Sequence, residues 1–187
     1  SFFNSLIVNV SNIFDFFKKK RRNSIILNYN QESEDLFKWY QQLVAESLGK
    51  NNKGFLPVIS SLPKDNHSLM QYFLDGNKNN FFTFFFVKEN KSLKIKNKNL
   101  LNSHNFLRNK SFNTISYSQY LATERVFKQK SIPFRSFVIK KKTEETLGEL
   151  FTFFILETII LGKMMKINPY DQPAVELIKK DTKKILI

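Results

Sequence analysis

The run Phe81-Phe82-Thr83-Phe84-Phe85-Phe86-Val87 is short, almost wholly apolar and rich in aromatic residues, which predicts a strand buried within a sheet. Three further runs share its character: Ile25-Ile26-Leu27, which enters a loop at Asn28, Tyr29 and Asn30, then 55–60, then 134–139 behind Pro133. Segments with helical spacing separate them. Strands that alternate with helices favour an α/β fold, and the expected architecture is a three-layer α/β/α sandwich with a mostly parallel sheet. In open sheets of this kind ligands gather outside the carboxyl ends of the strands, so the loops after Leu27, Ser60 and Val87 are the first places to look for chemistry.

The helices follow from periodicity and from their ends. Residues 2–17 form an apolar helix-like run, and the cluster Lys18-Lys19-Lys20-Arg21-Arg22 supplies cations suited to its C-terminal end. From Gln31 onward, Leu36, Trp39, Tyr40 and Leu43 occupy one helical face, with Glu32, Glu34 and Asp35 in the first turn. Gln42 and Glu46, four residues apart, share a second face before Gly49 and Gly54 break the pattern. Asp65 or Asn66 caps a helix that runs through Leu69, Tyr72, Phe73 and Leu74 to Gly76. Helices are also expected over 116–130 and 144–165, and a last one begins with Pro173 at its favourable first position. Residues 88–110 show no period. The organisation expected is an N-terminal helix and basic segment over 1–23, a remnant of a preceding region, followed by one domain over 24–187.

The 187 residues carry a formal net charge of +14, a balance compatible with nucleic acid, an anionic membrane or an anionic metabolite. Much of the excess alternates with Asn and Ser as solvated loops do, and no nucleic-acid-binding motif accompanies it, so a Lys-rich solvated surface is the reading. There are no cysteines, hence no disulfide framework and no Cys-based metal site; a reducing compartment, the cytoplasm, is the default. The opening apolar run precedes its basic cluster, the reverse of a secretory leader. Residues 147–161 are apolar, but Glu149 and Glu157 interrupt a stretch already shorter than the roughly 20 residues of a membrane span, which favours a buried core helix.

Three segments concentrate residues able to do chemistry: Trp39-Tyr40-Gln41-Gln42-Leu43-Val44-Ala45-Glu46-Ser47-Leu48-Gly49-Lys50, Pro63-Lys64-Asp65-Asn66-His67-Ser68, and Asn168-Pro169-Tyr170-Asp171-Gln172-Pro173-Ala174-Val175-Glu176-Leu177-Ile178-Lys179. Taken singly, none is distinctive. Glu46 would be a helix-surface carboxylate, His67 a surface imidazole, and Lys179 one cation of a solvated basic helix with Lys180, Lys183 and Lys184. His104 has no catalytic company and reads as structural or surface.

Taken together, in this order and with His67 lying 21 residues after Glu46, the segments resemble the bacterial glucose-6-phosphate isomerase family, C-terminal portion. The third segment is similar to that family's C-terminal signature, Asn-Pro-aromatic-Asp-Gln-Pro-small-Val-Glu followed by a lysine. The likeness extends from about Ser24 onward and is weakest across 88–113. Leu62 and Asn66 depart from the Gly and Gln that family members often carry there. The resemblance implies an aldose-ketose isomerase that interconverts glucose 6-phosphate and fructose 6-phosphate through a cis-enediol. It also implies roles: Glu46 as the base, His67 as the group that assists ring opening, and Lys179 as a stabiliser of developing negative charge. Gln42 and Gln172 are implied as substrate contacts.

No cofactor is implied, and two histidines far apart without Cys leave no plausible metal ligand set. The partners implied are the sugar phosphate and a second subunit that receives His67 across a homodimer, with no nucleic acid and no membrane. An earlier domain with a Ser/Thr-rich phosphate loop and a Gly-Gly-Arg segment is also implied; neither feature is found in these residues, so the chain resembles a C-terminal piece, inactive by itself. Two alternatives remain open from the sequence: a non-catalytic sugar-phosphate-binding module of the same fold, and a basic nucleic-acid-binding domain.

Overall fold

The computed structural model describes residues 2–88, 92–96 and 101–187. Its strands are β1 (Asn23–Asn28), β2 (Leu56–Ser61), β3 (Asn80–Val87) and β4 (Phe134–Ile139). They form a 4-stranded sheet in the order β2-β1-β3-β4, and every neighbouring pair is parallel. Helices α1 (Phe2–Lys18), α2 (Glu34–Leu48), α3 (Asp65–Ser68), α4 (Met70–Asp75), α5 (Phe112–Gln129), α6 (Glu144–Met164) and α7 (Pro173–Ile185) complete the chain. The α/β architecture expected from the alternating pattern is the one found.

Strand β3 is buried along its whole length because its side chains point alternately into two cores. Phe81 and Phe85 join Ile26 beneath α1, α2 and α6, whereas Phe82, Phe84 and Phe86 join Ile25 and Leu27 beneath α4 and α5. Each buried Phe contributes about 1.5–3 kcal/mol of transfer free energy, which explains why an aromatic run can anchor the centre of a sheet. Helix α1, within the stretch that the sequence sets apart as 1–23, sends Leu6, Val10 and Ile13 into the same core as α2 and α6.

Several boundaries differ from expectation for local reasons. The helix expected over 65–76 is divided at Leu69 into α3 and α4. Asp65 turns its carboxylate back onto Ser60 Oγ at 3.0 Å and Ser61 N at 2.8 Å, tying the first turn to the end of β2, while Met70, Phe73 and Leu74 turn toward the sheet. Helix α5 begins four residues earlier than 116 because Ser111 Oγ accepts from Thr114 N, a side-chain cap that the periodicity does not reveal. In the aperiodic stretch, Asn102–Leu107 makes a short 3-10 helix and Lys94 bridges to Ser111. Ser1 and positions 89–91 and 97–100 lie outside the described residues.

Glu157, which argued against a membrane span, is fully buried in α6. The Arg135 guanidinium on β4 grips its carboxylate with both terminal nitrogens and reaches Thr83 Oγ1 at 3.0 Å, and Tyr40 donates its hydroxyl to Glu157 Oε1 at 2.9 Å. A buried carboxylate is tolerable when both of its oxygens are paired with donors and its charge is met by a cation in this way. The network joins α2, α6, β3 and β4, and no spacing in the sequence pointed to it.

Helix α2 leaves the carboxyl end of β1 and runs back along the sheet. Its last turn therefore lies at the amino ends of the strands, where Ala45 and Gly49 face Arg22, Asn23 and Leu56 across a shallow hollow.

Candidate active site

Glu46 sits in the last turns of α2 and is half-buried. One turn earlier Gln42 donates its side-chain amide to Glu46 Oε1 at 3.0 Å. The second carboxylate oxygen, Oε2, accepts from the Gln172 amide at 2.7 Å. Two neutral donors thus hold both oxygens of one carboxylate, fixing its plane without adding charge beside it.

The segment that brings Gln172 there begins where α6 stops. Lys166 adopts a left-handed conformation with φ 55°, and Ile167 N returns to Gly162 O at 2.8 Å, closing the helix end. Pro169 then crosses Gly162 so closely that a Cβ on that glycine would stand 3.2 Å from the proline Cβ. Asn168 Oδ1 accepts from Tyr170 N at 3.1 Å, an Asx turn that reverses the chain. Lys50 donates to Asn168 O at 2.6 Å and to Asp171 Oδ1 at 2.7 Å. The Lys50 hydrogen bond holds the Asp171 carboxyl below its ordinary value. Pro173 opens α7, and a small hollow remains between Ala45, Glu46 and Gly49 on one side and Gln172, Pro173 and Ala174 on the other.

Gln42, Glu46 and Gln172 are thereby brought together from segments far apart in sequence. His67 is exposed on α3, just beyond the carboxyl end of β2. Lys179 pairs with Glu176 Oε1 at 2.7 Å on α7, its side chain 65% exposed on a helix with no buried residue. His67 thus lies at the carboxyl end of a strand, whereas Glu46 lies at the opposite end of the sheet, because a helix that follows a parallel strand must return to that end before the next strand begins. Lys50 and Asp171 stood in the quoted motifs without an assigned role; the signal that marks them is a cation four residues after a carboxylate and a second carboxylate beside Gln172.

Among the described residues no group of three His, Cys, Asp or Glu side chains is placed to hold a metal ion. No described helix is long and apolar enough to cross a membrane.

Residues 66–187 match the family described as Phosphoglucose isomerase. The chain is 36% identical over 172 residues to a glucose-6-phosphate isomerase from Mycoplasmopsis pulmonis, covering 90% of this chain and 40% of that relative. It superposes with a TM-score of 0.87 on the crystal structure of a hypothetical protein from Thermus thermophilus, over 95% of this chain and 44% of the other, at 22% identity. A glucose-6-phosphate isomerase from Chlamydia trachomatis superposes with a TM-score of 0.75, over 94% of this chain and 37% of the other, at 16% identity. At these identities the two superpositions establish a shared fold. The chain spans 40% of the length of the curated relative from Mycoplasmopsis pulmonis.

Proposed function

The chain belongs to the phosphoglucose isomerase family, and from that premise we propose that it supplies the base-bearing part of an aldose-ketose isomerase acting on glucose 6-phosphate and fructose 6-phosphate. The observation that carries this reading is the Glu46 carboxylate, oriented by Gln42 at 3.0 Å and Gln172 at 2.7 Å beside a hollow.

In the open-chain aldose, Glu46 removes the proton from C2 and the electron pair forms the C1–C2 double bond of a cis-enediol, while the carbonyl oxygen on C1 takes up a proton. Loss of the proton from the C2 hydroxyl then makes the ketone, and Glu46 returns its proton to C1. Atoms and electrons balance within the sugar, so the chemistry calls for no external redox partner. A carboxylate suits the work because it accepts and returns one proton without leaving its place.

Gln42 and Gln172 hold the carboxylate and offer neutral hydrogen bonds to substrate hydroxyls. His67 shuttles the proton that opens the pyranose ring, a task an imidazole can do because one ring nitrogen donates while the other accepts. Its position at the far end of the sheet supports its service to a neighbouring subunit and hence a homodimer. Lys179 offers a compact cation to the developing oxyanion; in this chain it rests on Glu176 and must turn toward Glu46 to act. The phosphate is bound by the preceding domain that the resemblance implies, and the reaction belongs to cytoplasmic glycolysis and gluconeogenesis.

A coupled assay for conversion of fructose 6-phosphate tests the proposal, run on these residues joined to an upstream phosphate-binding region from a relative. Conversion that disappears in Glu46→Gln supports it. Sugar-phosphate binding without conversion would favour a non-catalytic module instead.

A further inference from the structure

Lys50 lies two residues past the end of α2 and lines the same small hollow as Glu46. Its ammonium goes elsewhere. It donates to Asn168 O at 2.6 Å and to Asp171 Oδ1 at 2.7 Å, and its side chain is only 10% exposed. A cation so withdrawn from water needs oxygens to replace its hydration, and both replacements belong to the loop between α6 and α7. Lys53 adds a contact at the start of that loop, Nζ to Met165 O at 3.0 Å. The next residue after Asp171 is Gln172, whose amide meets Glu46.

We infer that Lys50 is a positioning residue of the proposed site: it fastens the 168–172 loop so that Gln172 reaches Glu46, and Asp171 keeps the Lys50 ammonium off the Glu46 carboxylate. The second half matters to the chemistry. An ammonium bonded directly to the reacting carboxylate would stabilise its ionised form and oppose proton uptake, whereas neutral amides orient it without adding a charge. Asp171 therefore has a role distinct from substrate contact: it competes with Glu46 for the cation that lines the same hollow. The inference rests on the proposed function only in naming Glu46 as the reacting group.

The test reads side-chain signals by NMR on the 187-residue chain and needs no turnover, so failure of the isomerase reading and failure of this one are separable. In Lys50→Met the Gln172 side-chain amide should move to the position it has in Glu46→Ala, while Lys50→Arg keeps the native position; the Gln42 amide serves as the internal control. In Asp171→Asn, which keeps the shape and removes the charge, the Lys50 ammonium should gain contacts with the Glu46 side chain. A part played only in stability would lower the unfolding temperature of Lys50→Met and leave the Gln172 signal where it was. That outcome overturns the inference, as does an Asp171→Asn ammonium that gains no contact with Glu46. If Lys50→Met does not fold, Asp171→Asn decides the matter alone.

Discussion

Glu46 and His67 lie at opposite ends of the parallel sheet, Glu46 beside the amino ends of the strands and His67 just past the carboxyl end of β2. The six residues of β2 alone span about 20 Å, far beyond the reach of a histidine side chain toward a sugar held at Glu46.

The separation makes a prediction about subunits. If each site takes Glu46 from one chain and His67 from its partner, then mixing Glu46→Gln protein with His67→Ala protein, each inactive, should regenerate intact sites in the mixed dimers. Random pairing restores about a quarter of the native activity, since half of the dimers are mixed and each mixed dimer holds one complete site. The coupled isomerase assay after subunit exchange measures it, using protein joined to the phosphate-binding region. No recovery under conditions where exchange is demonstrated would argue against a shared site.

The Arg135–Glu157 pair should be costly to break and cheap to replace. Glu157 is fully buried and Arg135 nearly so. Arg135→Met or Glu157→Leu alone leaves one uncompensated charge in the core, and each single change is expected to cost about 3–5 kcal/mol in urea unfolding. The double change Arg135→Met with Glu157→Leu should cost less than either single one, because no charge is stranded.

Acid and alkali should loosen different parts of the molecule. The Lys50 hydrogen bond depresses Asp171, so its contribution is present above the ordinary aspartate value of about 3.9 and is lost as pH falls through the lower folded value. Hydrogen exchange over 165–172 should therefore accelerate only in that acidic window. Burial pushes the Tyr29 phenol up to about 12, with the Thr123 hydrogen bond working against the rise. Burial first, and the Glu157 carboxylate second, push Tyr40 up further. A phenol whose folded value is raised keeps its proton when folded, so stability is intact below about 10 and declines as pH rises above it. Phenolate absorbance from Tyr29 and Tyr40 should appear together with loss of helical circular dichroism, and not before it.

The sheet was legible because its signal is local: Ile25-Ile26-Leu27 and the Phe run of β3 declare themselves wherever they pack. Helix ends were less so, since the early start of α5 depends on one serine hydroxyl and the break at Leu69 on where Asp65 points. The grouping of Gln42 with Glu46 could be read from helical spacing, but Gln172 joins them only through the turn at Asn168 and the hold of Lys50. Glu157 read as an interruption in an apolar helix and nothing in the sequence marked Arg135 as its partner, because their pairing is a product of tertiary packing. His67 lies at the opposite end of the sheet from Glu46, and Lys179 is paired with Glu176 on α7, so neither meets Glu46 in this arrangement.

The most direct measurement follows hydrogen at carbon in heavy water: NMR of fructose 6-phosphate turned over by protein joined to the phosphate-binding region, compared with its Glu46→Gln variant. Native protein should convert the sugar with deuterium entering at the carbons between which the proton moves, and Glu46→Gln should slow both conversion and exchange by at least about 10²-fold. Conversion and deuterium exchange that continue at near-native rates in Glu46→Gln would contradict the assignment of Glu46 as the base.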